Sequence, residues 1–298
     1  MIVTHNKGSL RGQLRVNEPM SKHTSWRVGG YADYFYVPAD IADLGMYLNS
    51  LPAEQPVYWL GLGSNMLVRD GGIRGCVIAT SGALNRLQMV AEHRVRVEVG
   101  VAVAKVARFT VDRGLTGAQF LAGIPGTMGG ALAMNAGAFG GETWDIVDKV
   151  ETIDRQGRVR NRMRSDFEIG YRRVTGPADE WFVAAHLQLA QGDAIEGKSN
   201  IRILLAKRTQ TQPTQIPNAG SVFKNPPGDY AARLIEASGM KGLCVGKACV
   251  SQVHANFIVN IGGATAADIE DLMHIVHKGV EQQQGVTLET EVRIVGEL

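Results

Sequence analysis

Three stretches of the chain carry residue types and spacings suited to holding a phosphate chain. The first is Gly61-Leu62-Gly63-Ser64-Asn65; the second is Gly123-Ile124-Pro125-Gly126-Thr127-Met128-Gly129-Gly130, which continues through ALAMNAGAFGGET. Glycines let backbone amides turn toward an anion without a side-chain clash, and Ser64, Thr127 and Asn135 add hydrogen-bonding groups. Neither stretch has the spacing G-x-G-x-x-G, which disfavours a doubly wound dinucleotide-binding domain. Taken singly, each loop reads equally well as tight turns and close packing. As a pair of long, polar-studded loops they point to a ligand, for which a pyrophosphate is a sensible guest. The third stretch, Gly192-Asp193-Ala194-Ile195-Glu196-Gly197-Lys198-Ser199, matches the P-loop pattern. Its Asp193 and Glu196 would stand among amides that must embrace phosphate, and no later apolar strand ends in an Asp to hold magnesium. It reads better as a surface turn that caps a helix.

The elements that position these loops follow from periodicity. Residues 56–60 read as a short buried strand feeding Gly61, and 94–99 as a half-exposed strand. A helix over 103–113 has Val103, Val106, Ala107 and Val111 at helical spacing and stops at Gly114. Residues 147–163 read as a hairpin around Arg155-Gln156-Gly157, and 181–189 as a further strand. A helix near 200–207 leads into the aperiodic TQPTQIPNAG. The last segment offers a helix near 230–237, a strand at 256–261, and a helix capped by Thr265 with an apolar stripe of Ile269, Leu272, Met273, Val276 and Val280 that ends at Gly285. A final strand over 287–295 puts Leu288, Thr290, Val292 and Ile294 on one face and Glu289, Glu291 and Arg293 on the other. The expected class is α+β, in three segments: 1–55, 56–195 and 196–298.

Composition narrows the function. A net charge of +2 over 298 residues, with no basic run, argues against a nucleic-acid or membrane-surface partner and suits an anionic small molecule. The three cysteines, Cys76, Cys244 and Cys249, form an odd set without zinc-knuckle or redox spacing, which reads as a reducing compartment. No signal peptide or membrane span is legible, so the expected location is the cytoplasm. The seven histidines form no ligand-spaced group, so no metal is expected. No obligate protein partner is evident. The 36 glycines cluster at 61–75 and 123–141, where backbone would pass close to a ligand.

Seven stretches in one order resemble the UDP-N-acetylenolpyruvoylglucosamine reductases, also called UDP-N-acetylmuramate dehydrogenases. They are HTSWRVGG at 23–30, GLGSNML at 61–67, AGIPGTMGGALAMNAGAFGGE at 122–142, Tyr171-Arg172, NAGSVFKNP at 218–226, VSQVHANFIVN at 250–260 and LETEVRIVGE at 288–297. The resemblance implies a noncovalent FAD on a two-part domain of the vanillyl-alcohol oxidase-like (PCMH-type) fold, formed by 1–55 and 56–195. It also implies a smaller α+β substrate domain, a UDP-sugar substrate, and NADPH as co-substrate. Gly61, Gly63, Ser64, Asn65, Pro125, Gly126, Thr127, Gly129, Asn135 and Gly137 would then hold the cofactor. The interval from Tyr171 to Ser221 is too short for the insertion that carries a covering tyrosine in the family's longer form, so the chain resembles the short form.

The implied reaction adds hydride from flavin N5 to the terminal carbon of a vinyl ether conjugated with a carboxylate, passing through an enolate-like transition state. That chemistry needs groups aimed at the developing charge and an acid at the neighbouring carbon. By resemblance, Ser221 is the proton donor, with Lys224 offsetting its charge, and Arg172 presents a planar fork to the carboxylate. Glu291, if ionised, would repel an enolate. It is therefore expected to carry a proton, its pKa raised by burial and a neighbouring anion, and to donate a hydrogen bond. Lys224 and Asn225 are expected substrate contacts, with His254 and Asn256 weaker ones. On the residues alone, Ser221 reads as a turn residue, Arg172 as a surface arginine, Glu291 as a strand carboxylate paired with Arg293, and His254 as a structural hydrogen-bonding residue. The competing functional readings are another flavin oxidase of the same fold and a P-loop nucleotide binder.

Overall fold

The computed structural model describes residues 10–298. The chain forms two compact units with alternating segments: one takes residues up to Arg15 with Tyr34–Gly61 and Gly75–Leu205, the other Val16–Asp33, Leu62–Arg74 and Ala206–Leu298. The positions 55 and 195 are not boundaries of this division. Two early stretches join the C-terminal segment because their polar groups are satisfied there. Trp26 Nε1 donates to Ile258 O at 2.7 Å across 232 positions, and Asn260 Nδ2 donates to Trp26 O at 2.9 Å. Asp70 accepts the amides of Ala266 and Ala267 at 3.0 Å each, and Arg69 grips the Glu270 carboxylate with two nitrogens at 2.9 and 2.7 Å.

The first unit is built on a five-stranded antiparallel sheet in the order Val159–Met163, Val147–Asp154, Glu180–Gln188, Arg94–Glu98, Leu87–Ala91. The middle register sets Val97 opposite Ala185 and Ala185 opposite Val150. With Val95 and Leu187 these form the buried face, in one core with the apolar sides of helices α1 (Ile41–Ser50), α2 (Val103–Val111) and α3 (Met128–Met134). The predicted hairpin, the strands at 94 and 181, and the first helix are all present within a few residues of their expected bounds. A parallel pair, with Leu60 opposite Ala79, brings the strand Val57–Leu60 to its end at Gly61.

The alternate positions of the sheet carry a charged cluster. Arg96 holds the Glu151 carboxylate at 2.7 and 2.6 Å, His186 Nε2 lies 2.7 Å from the same carboxylate, and Arg96 also reaches Glu98 at 3.3 Å. Arg96 first, and His186 with it, hold the Glu151 carboxyl below its usual pKa against the opposing effect of burial. Its stabilising contribution is therefore full above the ordinary carboxylate range and disappears as pH falls through the lowered folded value. Glu151→Gln should lose about 1–3 kcal/mol at pH 7, because Arg96 gives up its two-nitrogen grip and keeps Glu98 at 3.3 Å, while His186 loses its carboxylate. Denaturant unfolding of both proteins checks this. The gap should close on acidification below about pH 4, and a gap unchanged by acid would refute the assignment.

The P-loop-like stretch begins an exposed helix, α4 (Ala194–Thr211), longer than the sequence suggested. Asp193 Oδ1 accepts from the amides of Ile195 and Glu196 at 2.7 and 2.8 Å, closing the helix start. Gly197 lies within the helix, where a Cβ would stand 2.8 Å from Val111 Cγ1, and Lys198 pairs with Asp112 at 2.8 Å. The stretch is a capped turn and not a phosphate loop, in agreement with the physical objections to it.

In the second unit, a three-stranded antiparallel sheet (Cys244–Val245, Ala248–Val250, Ile258–Asn260) shares a core with α5 (Ala231–Ala237) and α6 (Ala266–Gln284). The α6 boundaries are as expected: Thr265 Oγ1 accepts from Asp268 N at 3.0 Å, and Gly285 ends the helix at φ 66°. The predicted stripe is buried.

Two readings need correction. Cys244 and Cys249 are joined by a disulfide with an S–S distance of 2.11 Å, because the Cys244–Val245 and Ala248–Val250 strands set them opposite each other with Cα atoms 4.1 Å apart. Among the described residues only Cys76 is a free thiol, and it is buried. The last strand is also shorter than expected. The strand proper is Arg293–Val295, which pairs in parallel with Met66–Val68. Upstream, Val222 O accepts from both Glu291 N at 2.8 Å and Val292 N at 3.4 Å, which breaks the two-residue alternation there. Among the described residues no helix is long and apolar enough to cross a membrane.

Candidate active site

In the first unit the two glycine loops meet at one point. A Cβ on Gly61 would lie 2.4 Å from Thr127 Oγ1. Thr127 sits just before α3 and is 1% exposed, yet among the described residues its hydroxyl has no hydrogen-bond partner. Leaving a buried hydroxyl unpaired costs about 1–3 kcal/mol. A group so placed beside backbone bare of side chain suits a polar atom of a ligand. The neighbouring glycines have other engagements: Gly129 N donates to Val99 O at 2.9 Å, and Gly126 N donates to Ile124 O at 3.1 Å while its carbonyl accepts from Val103 N. Pro125 has no amide proton to offer.

Asn135 ends α3 in the left-handed conformation, at φ 41°. Its side chain, expected at a cofactor, is turned inward: Oδ1 accepts from Trp144 N at 3.1 Å, and Nδ2 donates to Glu142 Oε2 at 2.8 Å and Gly170 O at 3.3 Å. Arg172 lies with these residues. Its Nη2 donates to Gly137 O at 2.9 Å, its Nη1 to Asn135 O at 3.4 Å, and its guanidinium stands 5.0 Å from the centre of the Tyr171 ring. Arg172 is itself at φ 53°, a conformation uncommon for a side chain of its size and a sign of local constraint. A Cβ on Gly137 would fall 2.7 Å from the Gly141 carbonyl oxygen, with Glu142 Cγ at 3.1 Å and Arg172 Nη1 at 3.4 Å, so a larger residue would push the backbone apart there.

The second unit assembles Ser221 with Glu291. Ser221 follows Gly220, which is at φ 77°, in a turn that Asn218 Oδ1 closes by accepting from Gly220 N at 3.0 Å. The residue after Ser221 accepts the Glu291 amide at 2.8 Å, and Phe223 bridges Thr290, so the two candidate acids stand on adjacent segments. Both are half-buried. Buried Asn256 fixes this geometry. Its Oδ1 accepts from Phe223 N at 3.0 Å, its Nδ2 donates to Phe223 O at 2.7 Å, and its carbonyl accepts from Val222 N at 2.9 Å. Its amide is thus turned to the chain. Asn65 acts similarly, donating from Nδ2 to Glu291 O at 3.2 Å. Gly63 is explained by packing, since a Cβ there would stand 2.0 Å from His23 O.

Lys224 Nζ pairs with the Glu289 carboxylate, and Lys224 N donates to Glu289 O at 2.8 Å. Asn225 Oδ1 accepts from Ala231 N at 3.1 Å. Burial, with the charge of Lys241 second, pushes the His254 imidazole below its usual pKa. Its Nδ1 accepts from Asn256 N at 3.3 Å, so the neutral ring carries its proton on Nε2.

The roles of Asn65 and Asn256, and the union of Asn135 with Glu142, Gly170 and Arg172, were not legible in the sequence. An asparagine in a glycine-rich loop looks the same whether its amide faces a ligand or a backbone carbonyl.

Residues 212–295 match the family described as UDP-N-acetylenolpyruvoylglucosamine reductase, C-terminal domain, and 32–161 match an FAD binding domain. The UDP-N-acetylenolpyruvoylglucosamine reductase of Methylococcus capsulatus is 58% identical over 287 residues, covering 96% of this chain and 94% of that protein. The enzyme of the same name from Alkalilimnicola ehrlichii is 57% identical, covering 96% of each. Among solved structures, the UDP-N-acetylenolpyruvylglucosamine reductase of Thermus caldophilus superposes with a TM-score of 0.81 at 31% identity, over 96% of this chain and 99% of that one.

Proposed function

The chain belongs to the UDP-N-acetylenolpyruvoylglucosamine reductase family, and on that premise we propose how its residues reduce the enolpyruvyl ether of UDP-N-acetylglucosamine to UDP-N-acetylmuramate in peptidoglycan synthesis. The enzyme is an FAD-dependent oxidoreductase, and NADPH as co-substrate is consistent with that activity. The buried Thr127 hydroxyl facing Gly61 fits such a cofactor, with Gly61, Ser64 and Thr127 as its foremost contacts on this chain. The parts of segments 1–55 and 56–195 that fall in the first unit supply the two parts of its PCMH-type domain. Bound there and reduced, a flavin would supply the hydride for the methylene carbon.

The observation that carries the residue assignment is the pairing of the Ser221 and Glu291 segments through Val222. Ser221 delivers a proton to the carbon beside the new carbon–hydrogen bond, where negative charge has built up. Arg172, oriented by Gly137 O and Asn135 O, presents its planar guanidinium to the substrate carboxylate. Glu291 carries a proton and donates a hydrogen bond to that carboxylate, since an ionised carboxylate would oppose the enolate. Lys224, Asn225 and His254 bind the UDP-sugar, His254 as a neutral donor. The reaction belongs in the cytoplasm, with no protein partner required.

The test is anaerobic. Photoreduced holoenzyme mixed with the enolpyruvyl UDP-sugar should regain the absorbance of oxidised flavin and yield the muramate. Failure to reoxidise, together with oxygen-dependent turnover of a simple alcohol, would favour an oxidase of the same fold.

A further inference from the structure

We infer that Asn135 is the positioning residue for Arg172, an inference that rests on the catalytic reading of that arginine. The geometry is specific. An arginine placed in the left-handed region on a short turn between the strands Glu168–Gly170 and Arg173–Thr175 has no regular ladder to hold it. Asn135 supplies the hold in two ways. Its Nδ2 ties down Gly170 O at 3.3 Å, two residues before Arg172, and its own carbonyl receives Arg172 Nη1 at 3.4 Å, beside Gly137 O, which receives Nη2.

The Asn135 carbonyl can point this way because the residue is left-handed, a conformation asparagine tolerates better than most side chains. Its amide is fixed in turn by Trp144 N on one side and the Glu142 carboxylate on the other. An amide is required, because one atom must accept from Trp144 while the other donates to two acceptors. A guanidinium is a rigid plane, so holding it at two nitrogens fixes its orientation, and a shift of about 1 Å there is enough to lower the rate strongly.

The test is a double-mutant cycle in the FAD-loaded enzyme, with Asn135→Asp and Arg172→Lys. Asp keeps the acceptor for Trp144 N and tolerates the left-handed backbone, but cannot donate to Gly170 and places a second carboxylate against Glu142. Asn135→Asp should bind FAD as the parent does and lower kcat roughly tenfold to a hundredfold, with a smaller change in KM. In the Arg172→Lys background the same change should have little further effect, since there is no fork left to aim. Asn135→Gly, which keeps the backbone freedom and removes the amide, should follow the same pattern if Asp perturbs folding. A cycle in which the effects multiply, or a parent-like kcat in both Asn135 variants while Arg172→Lys is slow, would overturn the positioning role. A parent-like Arg172→Lys would instead overturn the catalytic reading of Arg172, and the inference with it.

Discussion

Ser221→Ala is expected to keep its flavin and its UDP-sugar affinity while product formation slows by about a thousandfold, the range ascribed to a positioned general acid. The fold gives no reason for collapse. The segment is held by the backbone of its neighbours, through Val222 N to Asn256 O, Glu291 N to Val222 O and Lys224 N to Glu289 O. What the substitution removes is the hydroxyl assigned to proton delivery. Rapid mixing of anaerobically reduced enzyme with the enolpyruvyl sugar measures the effect directly, because reoxidation of the flavin is visible. Ser221→Cys, which retains a proton donor of similar reach, should recover part of the rate. If alanine reoxidised as fast as the parent, proton delivery would have to come from another group, and the half-buried Glu291 would be the first to examine.

The second large effect is expected at Gly61. Its φ is not positive, so alanine meets no backbone penalty there, and the consequence is steric. The new methyl would stand 2.4 Å from Thr127 Oγ1 and 3.3 Å from Thr127 Cβ, which forces the threonine off its rotamer or the strand end outward. Overpacking of this kind costs about 1–3 kcal/mol. Because the displaced group is the one assigned to the cofactor, the loss should be read as FAD affinity, with a dissociation constant raised about tenfold or more. Gly61→Ala combined with Thr127→Ala separates packing from binding. The double variant should regain thermal stability, since the clash is gone, but not affinity, since the hydroxyl is gone too. Flavin fluorescence titration of the three proteins decides it, and recovery of parent-like affinity in the double variant would remove Thr127 from the cofactor site.

Local structure was largely legible in the residues. Thr265 and Gly285 marked α6 because a helix must satisfy its first amides and release its last carbonyls within a few positions, and those demands fall on neighbours in sequence. The hairpin about Arg155-Gln156-Gly157 followed from two alternating runs and a turn. Asp193 showed the P-loop pattern to be a helix cap for an equally local reason: a carboxylate repels phosphate and accepts amides. The family, too, was contained in the order of its short motifs. Tertiary structure alone decided where each polar side chain turns. Asn65, Asn135 and Asn256 hold Glu291, Arg172 and the Ser221 segment by bonds reaching 226, 37 and 33 positions along the chain. Cys244 and Cys249 were separate thiols until pairing of their strands set them face to face. Residues 16–33 and 62–74 entered the second unit through Trp26 and Asp70 and not through any pattern of their own. A hydrogen bond is directional and takes its partner from whatever the folded chain brings near. Its donor can be read from the sequence, but its acceptor exists only once the chain has closed.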